Sequence, residues 1–435
     1  MKYRFVTLGC KVNTYESEAV KKLLDEKGYV PAEKENPDVI VINTCSVTSV
    51  SDQKCRQKIR SEIRKFPSSI VVVMGCYSQM ESDFVASIPG VSVVLGTSNR
   101  HLIPELIEQY QQSHQTICIV EKKRDVPYEG LSVTSYTENT RAYLKIQDGC
   151  DNFCTYCIIP YARGKMRSRK QEEVLLEVKE LLDAGFREIV LTGIHTGGYG
   201  KDIGTSFPAL VKKILEDQRL YRLRISSIEE SEIDEELLSL LQGSVLAHHF
   251  HIPLQSGSAR VLKDMHRKYS KEQFLGKLQR IREAIPNVAI TTDIIVGFPG
   301  ETEEEFVETM EFAKVCQFAK IHVFPYSPRA GTPAANRPDQ VDPSVKKERV
   351  HRLLSLSQKL ENAYQSLFIG QEMEVLFEEY EERIHLWKGH TSNYLEVYAP
   401  FDENVHNCVR KVVYEKNVRY VMDGQEVDQK EKTKI

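Results

Sequence analysis

The chain lacks any long apolar segment. None of the apolar runs in its 435 residues approaches the roughly 18 residues that a helix needs to cross a bilayer. The first residues, MKYRFVTLGCKVN, lead directly into a strand-like segment and do not contain the apolar stretch of a secretory signal peptide. Ten cysteines are too few for a disulfide scaffold in a chain of this length. We therefore expect a cytoplasmic protein without membrane contact, in a reducing compartment where thiols stay available for metal.

The chain also has little net charge and no visible repeats. Its formal net charge is −4 at neutral pH, which by itself gives no indication of a nucleic-acid partner. With 41% hydrophobic and 28% charged residues, the composition is that of a soluble globular protein. A chain of 435 residues is too long for one ordinary core, so we expect two or three domains.

The cysteines that are present are unevenly placed, and three of them stand close together. Cys150, Cys154 and Cys157 form a C-x3-C-x2-C pattern in DGCDNFCTYC. Three thiolates at this spacing can hold three irons of a cubane cluster, whereas such clusters are normally held by four cysteines. The fourth iron then keeps an open position, which is the arrangement of a catalytic rather than a sealed structural metal site. The alternative is a zinc site with a fourth ligand from elsewhere, and the spacing favours the iron–sulfur cluster.

Three further cysteines each follow a short, apolar, β-rich run. Cys10, Cys45 and Cys76 end the segments YRFVTLGC, DVIVINTC and IVVVMGC. These runs are separated by helical patterns at 16–27 and 51–65, which predicts βαβ units and a parallel sheet. The carboxyl ends of parallel strands lie at one edge of a sheet, where ligands bind. A single cysteine in this position would be explained as a buried core residue. Three cysteines in equivalent positions are better explained as ligands of one site.

The rest of the chain predicts a barrel and a small β domain. From residue 142, six strand patterns alternate with helical patterns, which indicates a parallel β/α barrel that is partial, with the C-x3-C-x2-C loop after its first strand. After Gly370 the sequence changes to alternating segments typical of an all-β domain. We therefore predict an α/β protein with four parts: a doubly wound parallel-sheet domain over 1–115, a linker over 116–140, a partial (β/α)6 barrel with a trailing helix over 141–368, and a small all-β barrel over 370–435.

Glycines and polar residues at the predicted strand ends form a second group of site residues. The segment LTGIHTGGYG follows a strand, and glycine lets a backbone approach a ligand closely, although a plain turn would explain the same pattern. Polar groups at barrel strand ends usually serve a ligand rather than the core. His249 and His251 share one face of a strand, for which ordinary packing is favoured over metal ligation. The residues predicted to contact a cofactor are Gly193, Gly197, Gly198, Ser226, Glu229 and Gln255.

A basic run follows the C-x3-C-x2-C loop directly. Residues 163–170, RGKMRSRK, contain five cations and no anion, and such runs can bind phosphates. A solvated helix face is the alternative, but the position beside the predicted site favours binding. The residues predicted to contact RNA are Arg163, Lys165, Arg167, Arg169 and Lys170.

These motifs together resemble a known family. A C-x3-C-x2-C loop after the first strand of a β/α barrel resembles the radical S-adenosylmethionine enzymes, in which the open iron chelates S-adenosylmethionine and an electron from the cluster cleaves it to methionine and a 5′-deoxyadenosyl radical. TLGCKVN, VINTCSVT and VMGCYSQ resemble the N-terminal signature of the methylthiotransferases. DGCDNFCTYCIIPYARG, SSIE, PLQSGS, DIIVGFPGET and FPYSPRAGTPAA extend the similarity over nearly the whole chain.

The resemblance implies a reaction and its cofactors. Cys10, Cys45 and Cys76 would hold a second [4Fe–4S] cluster whose open iron carries the sulfur, beside the first cluster and S-adenosylmethionine. The last segment resembles the TRAM domain, a small β-barrel that contacts tRNA. LGCKVN, LTGIHTGGYG and RISSIE are most similar to the branch that converts N6-threonylcarbamoyladenosine next to the tRNA anticodon to its 2-methylthio derivative. The implied partners are the tRNA anticodon loop, an electron donor and a sulfur source.

Two features depart from the pattern of this family, and other functions stay open. Glu230 stands where proline often follows SSIE, and residues 371–435 contain fourteen acidic against nine basic residues, which is an unusual balance for a tRNA contact. One alternative is a methylthiotransferase acting on isopentenyladenosine in tRNA or on a ribosomal protein. An alternative of another class is a zinc-containing, non-catalytic RNA-binding protein that uses the same cysteines.

Overall fold

The N-terminal part is built on a parallel sheet. The computed structural model describes residues 1–435 except 34, 123, 134–135, 137–139, 242, 416–419, 423–424 and 428–435. Six parallel strands occur in the order β2-β1-β3-β4-β5-β6. The strands are β1 Lys2–Thr7, β2 Val30–Pro31, β3 Val39–Thr44, β4 Ile70–Gly75, β5 Val93–Leu95 and β6 Ile117–Ile119. The helices are α1 Lys11–Glu26, α2 Ser49–Lys65, α3 Cys76–Met80, α4 Ser82–Ala86 and α5 Ile103–Ser113.

Strand β3 shows why this sheet is doubly wound. Every residue of VIVINT is buried, because both faces of the sheet are covered. Val39 and Val41 pack into the core on one face, whereas Ile40 and Ile42 pack into the core on the other. The sheet also extends further than expected: β6 lies inside the segment 116–140 that was predicted to be a linker, since Ile117 pairs in register with Val93.

The central part is an open barrel of six parallel strands. Two three-stranded sheets, β11-β10-β7 and β12-β13-β14, are joined by parallel bridges from Leu223 to Leu246 and from Ser227 to His251. A short antiparallel pair, β8-β9, lies beside the first sheet. The prediction of a partial β/α barrel is confirmed. The strands are β7 Arg141–Lys145, β8 Gln147–Asp148, β9 Arg167–Ser168, β10 Glu188–Thr192, β11 Arg222–Ile225, β12 His249–His251, β13 Ala289–Val296 and β14 Lys320–Pro325.

Several barrel helices, among them α8, α10, α11 and α12, begin at a Ser or Thr whose side chain caps the first turn. Thr302 and Glu305 form a capping box at the start of α12, in which the N–H of Glu305 donates to the Thr302 hydroxyl over 3.3 Å. Ser270 and Gln273 form a second such box. No helix among the described residues is both long and apolar enough to cross a membrane. The helices are α6 Ile159–Arg163, α7 Gln171–Asp183, α8 Phe207–Ile214, α9 Glu235–Leu241, α10 Ala259–Asp264, α11 Lys271–Ala284, α12 Glu303–Cys316 and α13 Pro343–Ser366.

The C-terminal part is an antiparallel β structure, as predicted. Four strands occur in the order β17-β16-β15-β18 around a core that includes Phe377 and Trp387. This sheet packs against the barrel, where the guanidinium of Arg222 donates to the carbonyl of His390 over 3.2 Å. The strands are β15 Glu372–Glu381, β16 Leu386–Thr391, β17 Glu396–Ala399, β18 Cys408–Val413, β19 Tyr420–Met422 and β20 Gln425–Val427.

Candidate active site

The first cysteine triplet, Cys150, Cys154 and Cys157, lies in the loop between β8 and α6. All three thiols are half-buried. Gly149 begins the loop at φ +73°, and a Cβ there would lie 1.9 Å from the carbonyl oxygen of Lys165, so only glycine fits. Burial, and then the nearness of the other two thiols, raises the pKa of Cys157 to about 12. The three sulfurs therefore share one small region, and a bound cation would relieve the cost of ionising them.

Side chains from the barrel surround this first triplet. The guanidinium of Arg267 donates to the sulfur of Cys154 over 3.5 Å and also pairs with Glu229 over 3.2 Å. His195 lies 2.7 Å from Glu232 and next to Cys150. Burial alone would lower the pKa of His195, but these two partners raise it to about 10. The predicted residue Glu229 is therefore brought to the triplet.

His195, Glu232 and Arg267 were not among the residues predicted to form the site. His195 stands inside the glycine-rich loop, and its position there was the available signal. Glu232 and Arg267 come from separate stretches of the chain, and only the fold places them together.

Gly193, Gly197 and Gly198, which were predicted to contact a cofactor, lie in the same region. The atoms closest to them belong to other side chains of the protein. A Cβ on Gly197 would lie 2.3 Å from a carboxylate oxygen of Glu232, and one on Gly198 would lie 2.7 Å from the sulfur of Met166. A Cβ on Gly193 would lie 3.0 Å from the side-chain oxygen of Gln147. The small size of these residues is thus explained by close packing behind the first triplet. Their contact with a cofactor stays a prediction.

Ser226 and Gln255 lie at the strand ends of the barrel, as predicted. The hydroxyl of Ser226 is 3.0 Å from that of Thr196, and Ser226 is buried. Gln255 adopts φ +68°, and its N–H donates to the carbonyl of Asp293 over 2.8 Å. Both are therefore fixed at the rim on which the first triplet lies, and ligand contact by either also stays a prediction.

The second cysteine triplet, Cys10, Cys45 and Cys76, lies at the carboxyl edge of the N-terminal sheet. Cys10 precedes α1, Cys45 follows β3, and Cys76 begins α3. Gly9 has φ +120°, and a Cβ there would lie 2.9 Å from the Cβ of Cys45, so glycine lets the two loops meet. Cys10 is exposed, whereas Cys45 and Cys76 are buried. Burial, and then the neighbouring thiols, raises the pKa of Cys45 to about 12.

Cys55 belongs to the core beneath the N-terminal sheet and lies beside the loop of the second triplet. Its buried thiol donates to the carbonyl of Cys45 over 3.3 Å. The thiol therefore holds the loop that carries Cys45, and its sulfur has this backbone contact rather than a position in the triplet.

Neither triplet has the geometry of a site for a single metal ion. Among the residues that the structure describes, no group of three or more His, Cys, Asp or Glu side chains could hold one ion. A cubane cluster attaches each thiolate to a different iron, so its ligands do not converge on a single point. Two sets of three soft sulfur donors, each at a glycine-shaped loop, fit such clusters by their donor chemistry.

Arg163 links the two triplets. Its Nε donates to the sulfur of Cys76 over 3.2 Å, and its other nitrogens pair with Glu16 and Asp148. Asp148 accepts the N–H of Gly149 over 2.8 Å, immediately before the first triplet. The guanidinium is completely buried, and Lys145 joins the same network by pairing with Glu16 and Asp148. One buried ion network therefore contacts a sulfur of the second triplet and the backbone directly before the first.

The basic run is placed differently from the sequence expectation. Arg163, Arg167 and Arg169 are buried, because each pairs with carboxylates inside the protein. These three residues do not form an exposed RNA-binding surface in this structure. The cations of the run that reach the surface are Lys165, which pairs with Asp125, and Lys170.

A cavity of about 880 Å³ lies between the barrel and the C-terminal domain. Its lining includes Lys11, next to Cys10, and Tyr394 of the C-terminal domain. His249 and His251 also line it, and both lie within 3.0 Å of the hydroxyl of Thr291. The ring of Tyr394 stacks on His249 with 4.9 Å between centroids. The two histidines are thus packed and hydrogen-bonded, as the sequence favoured.

Comparison with known proteins places this site in a class. Residues 144–313 match the radical SAM superfamily, and residues 2–96 match an uncharacterized protein family, UPF0004. The solved structure of the radical S-adenosylmethionine methyltransferase TsrM from Kitasatospora setae superposes with a TM-score of 0.58 at 15% identity, covering 74% of this chain and 73% of that chain. At that identity the likeness shows the fold alone. The barrel with its cysteine loop is therefore that of a radical S-adenosylmethionine protein.

Relatives that align with nearly the whole chain show to which branch of this superfamily the protein belongs. A protein of Bacillus subtilis (strain 168), named threonylcarbamoyladenosine tRNA methylthiotransferase MtaB, is 48% identical over 94% of this chain and 92% of its own length. The protein of the same name in Aquifex aeolicus is 37% identical over 95% of this chain and 100% of its own length. A tRNA-2-methylthio-N(6)-dimethylallyladenosine synthase of Caldicellulosiruptor saccharolyticus is 35% identical over 89% of this chain and 84% of its own length. The chain belongs to the radical S-adenosylmethionine methylthiotransferases, enzymes that transfer a methylthio group and use S-adenosylmethionine and a [4Fe–4S] cluster.

Proposed function

We propose that this enzyme converts N6-threonylcarbamoyladenosine next to the tRNA anticodon to its 2-methylthio derivative, with two [4Fe–4S] clusters. The observation that carries the proposal is the joining of two cysteine triplets by one buried arginine, Arg163. The names of the relatives in Bacillus subtilis and Aquifex aeolicus support the choice of nucleoside. The match over 94% of the chain supports a shared arrangement of all three domains.

The chain supplies two open metal sites to this reaction. Cys150, Cys154 and Cys157 would hold the cluster that binds S-adenosylmethionine, and the triplet of Cys10, Cys45 and Cys76 would hold the second. When bound, the two clusters supply an electron for cleaving S-adenosylmethionine and a sulfur for the substrate carbon. Holding the radical source and the sulfur donor in one site makes their reaction effectively intramolecular, which increases its rate by a large factor.

The protein groups around the sulfurs act by donating hydrogen bonds to them. Arg267 and the N–H of Asn152 donate to the first triplet, each over 3.5 Å. Arg163 donates to Cys76 in the second triplet over 3.2 Å. Donors to a thiolate stabilise its negative charge and tune a bound metal centre. Because Arg163 and Arg267 are buried, water does not compete strongly for these bonds.

The test is mass spectrometry of tRNA nucleosides from cells that lack the gene. We expect the 2-methylthio derivative of N6-threonylcarbamoyladenosine to disappear while its unmethylthiolated precursor remains. A plasmid copy of the wild-type gene should restore the product, and a copy with Cys154→Ala should not. Loss of methylthio-isopentenyladenosine instead would assign the enzyme to the other tRNA branch, and intact tRNA with an altered ribosomal protein would show a protein substrate.

A further inference from the structure

Among the described residues that line the cavity between the barrel and the C-terminal domain, Lys11 is a cation without an ion-pair partner. Arg224 donates to Glu188 over 2.6 Å, and the neighbouring Arg141 pairs with Glu378 over 3.2 Å. Lys11 lines the same cavity, yet its ammonium makes no hydrogen bond or ion pair with any described residue. A partly buried charge without a partner is unfavourable, so the cavity is suited to a ligand that brings a negative charge.

Two of the three carboxylates that line the cavity are paired with other lysines, and the third, Glu415, makes no ion pair with Lys11. Glu361 accepts from Lys320 over 3.2 Å, and Glu396 accepts from Lys388 over 3.0 Å. The first turn of α1, where Lys11 stands, contains no acidic residue. The N-terminal end of a helix carries partial positive charge, which adds to that of the lysine. The local field at this side of the cavity therefore favours an anion.

The position of Lys11 connects this anion site to the reaction. Lys11 directly follows Cys10, so one of the residues that line the cavity is the chain neighbour of a member of the second triplet. Its volume of about 880 Å³ is within the usual range for small-molecule sites. An adenosine whose reacting carbon lies at the triplets could therefore extend its N6 substituent into the cavity.

We propose that Lys11 binds the carboxylate of the N6 substituent and so selects a threonylcarbamoyl group over an uncharged one. This inference rests on the proposed function. A threonylcarbamoyl group ends in a carboxylate and a hydroxyl, whereas an isopentenyl group is a hydrocarbon. A buried ammonium left unpaired by the hydrocarbon gives discrimination in addition to the bond gained with the carboxylate.

The test compares synthetic anticodon stem-loop RNAs that differ only in the N6 substituent. They carry N6-threonylcarbamoyladenosine, the methyl ester of its carboxylate, or isopentenyladenosine, and their binding to the anaerobically reconstituted enzyme is measured by fluorescence anisotropy. We expect the carboxylate form to bind about 10- to 100-fold more tightly than its ester. Because the ester needs no change in the protein, this comparison is independent of folding. Equal binding of acid and ester would overturn the proposal.

The protein variants give a second measurement. Lys11→Gln should abolish the preference for the acid over the ester and raise KM with little change in kcat, whereas Lys11→Arg should retain most of the preference. Lys27→Gln, at the other end of the same helix, removes only an exposed ion pair with Glu105 and should behave as wild type. Iron content is measured for each variant, since Lys11 adjoins Cys10. A Lys11→Gln enzyme with full iron and an unchanged preference would refute the role of Lys11.

The proposed function and this inference fail in different ways. If the wild-type enzyme does not methylthiolate the stem-loop with the threonylcarbamoyl group, the proposed function is wrong. If it does so but treats acid and ester alike, only the inference about Lys11 is wrong.

Discussion

The two cysteine triplets differ in how the chain assembles them. The first comes from one loop, between residues 150 and 157, and its thiols are half-buried. The second is drawn from the ends of three strands, between residues 10 and 76, and two of its thiols are buried. A site formed by one loop depends mainly on local backbone geometry. A site formed by three strands depends on the whole sheet, so it exists only after the N-terminal domain has folded.

The surroundings of the triplets differ as well. The first receives its side-chain hydrogen bond from the barrel, through Arg267. The second receives one from outside its own domain, since Arg163 follows the first triplet in the chain and donates to Cys76. The barrel thus completes the second site. We infer that docking of the two domains is a requirement for the second triplet more than for the first.

Removal of one cysteine from each triplet should have the largest effect. The anaerobically reconstituted enzyme should contain about eight irons per chain, two cubane clusters of four. Cys154→Ala and Cys45→Ala should each lose about half of this iron and all methylthiotransferase activity. Iron analysis and visible absorption of the purified proteins measure the result.

Cys118→Ala provides the control, because Cys118 is exposed and lies on β6, at the edge of the sheet. It should keep all its iron. An iron content that is the same in the wild type and in both triplet variants would contradict two separate clusters, and zinc in place of iron after strictly anaerobic purification would favour the zinc-binding alternative.

The parts of the site that the sequence predicted are those encoded in short segments. Each strand-end cysteine directly follows an apolar run, so the convergence of Cys10, Cys45 and Cys76 followed from parallel-sheet topology. The surface expected for the basic run did not form, because the carboxylates that bury its arginines come from distant positions such as Glu16 and Glu177. One-dimensional charge patterns contain no information about such partners.

The end of the first domain and the presence of the cavity could not be predicted from the sequence, for similar reasons. Strand β6 is three residues long, too short to give a clear alternating pattern. The cavity exists only where the C-terminal domain covers the barrel, and no single segment encodes that contact. Predictions therefore succeeded where a short segment or the topology of a parallel sheet determines the position of a residue, and failed where its partners come from unrelated parts of the chain.

Substitution of Arg163 tests the dependence of the second triplet on the barrel. Arg163→Met leaves Glu16 and Asp148 with fewer counter-ions in a buried network, which should cost about 3 kcal/mol of unfolding free energy. It should also lower the iron bound by the second triplet while the first stays loaded. Urea unfolding of the cluster-free protein and iron analysis give the two results.

The matched control is Arg219→Met. Arg219 is nearly half exposed and pairs with Asp183 and Asp217 at the surface, so its loss should have little effect on the free energy of unfolding and leave the iron content unchanged. If the two variants are equally stable, the buried network does not hold the domains together.

Acid should weaken this network in a predictable pH window. Burial alone would raise the pKa of Glu16, but Arg100, Arg163 and Lys145 lower it to about 2. A carboxylate with a depressed pKa in the folded state contributes stability above its unfolded value of about 4.5, and this contribution is lost as the pH falls through about 2. The stability difference between the wild type and Glu16→Gln should therefore shrink between pH 4.5 and 2. Urea midpoints of the cluster-free proteins measure it, and a constant difference over this range would argue against an ionised Glu16.

The smallest effect concerns the glycine-rich loop beside the first triplet. In Gly197→Ala the new methyl group would overlap Glu232, which pairs with His195, and overpacking of this kind costs about 1–3 kcal/mol. In contrast, Gly276→Ala, in α11 where no atom lies within 4 Å of the new Cβ, should stabilise the protein by up to about 1 kcal/mol. The free energy of unfolding of both variants is measured by urea unfolding of the cluster-free proteins.

The same pair of variants separates packing from cofactor contact at Gly197. If close packing against Glu232 is the reason for glycine, the urea midpoint of Gly197→Ala falls even in the cluster-free protein. If glycine is needed only because S-adenosylmethionine approaches the backbone there, the midpoint stays at the wild-type value and the affinity of the reconstituted enzyme for S-adenosylmethionine falls instead. Because the overlap with Glu232 is present without any ligand, we expect the first result, with weaker S-adenosylmethionine binding as its consequence.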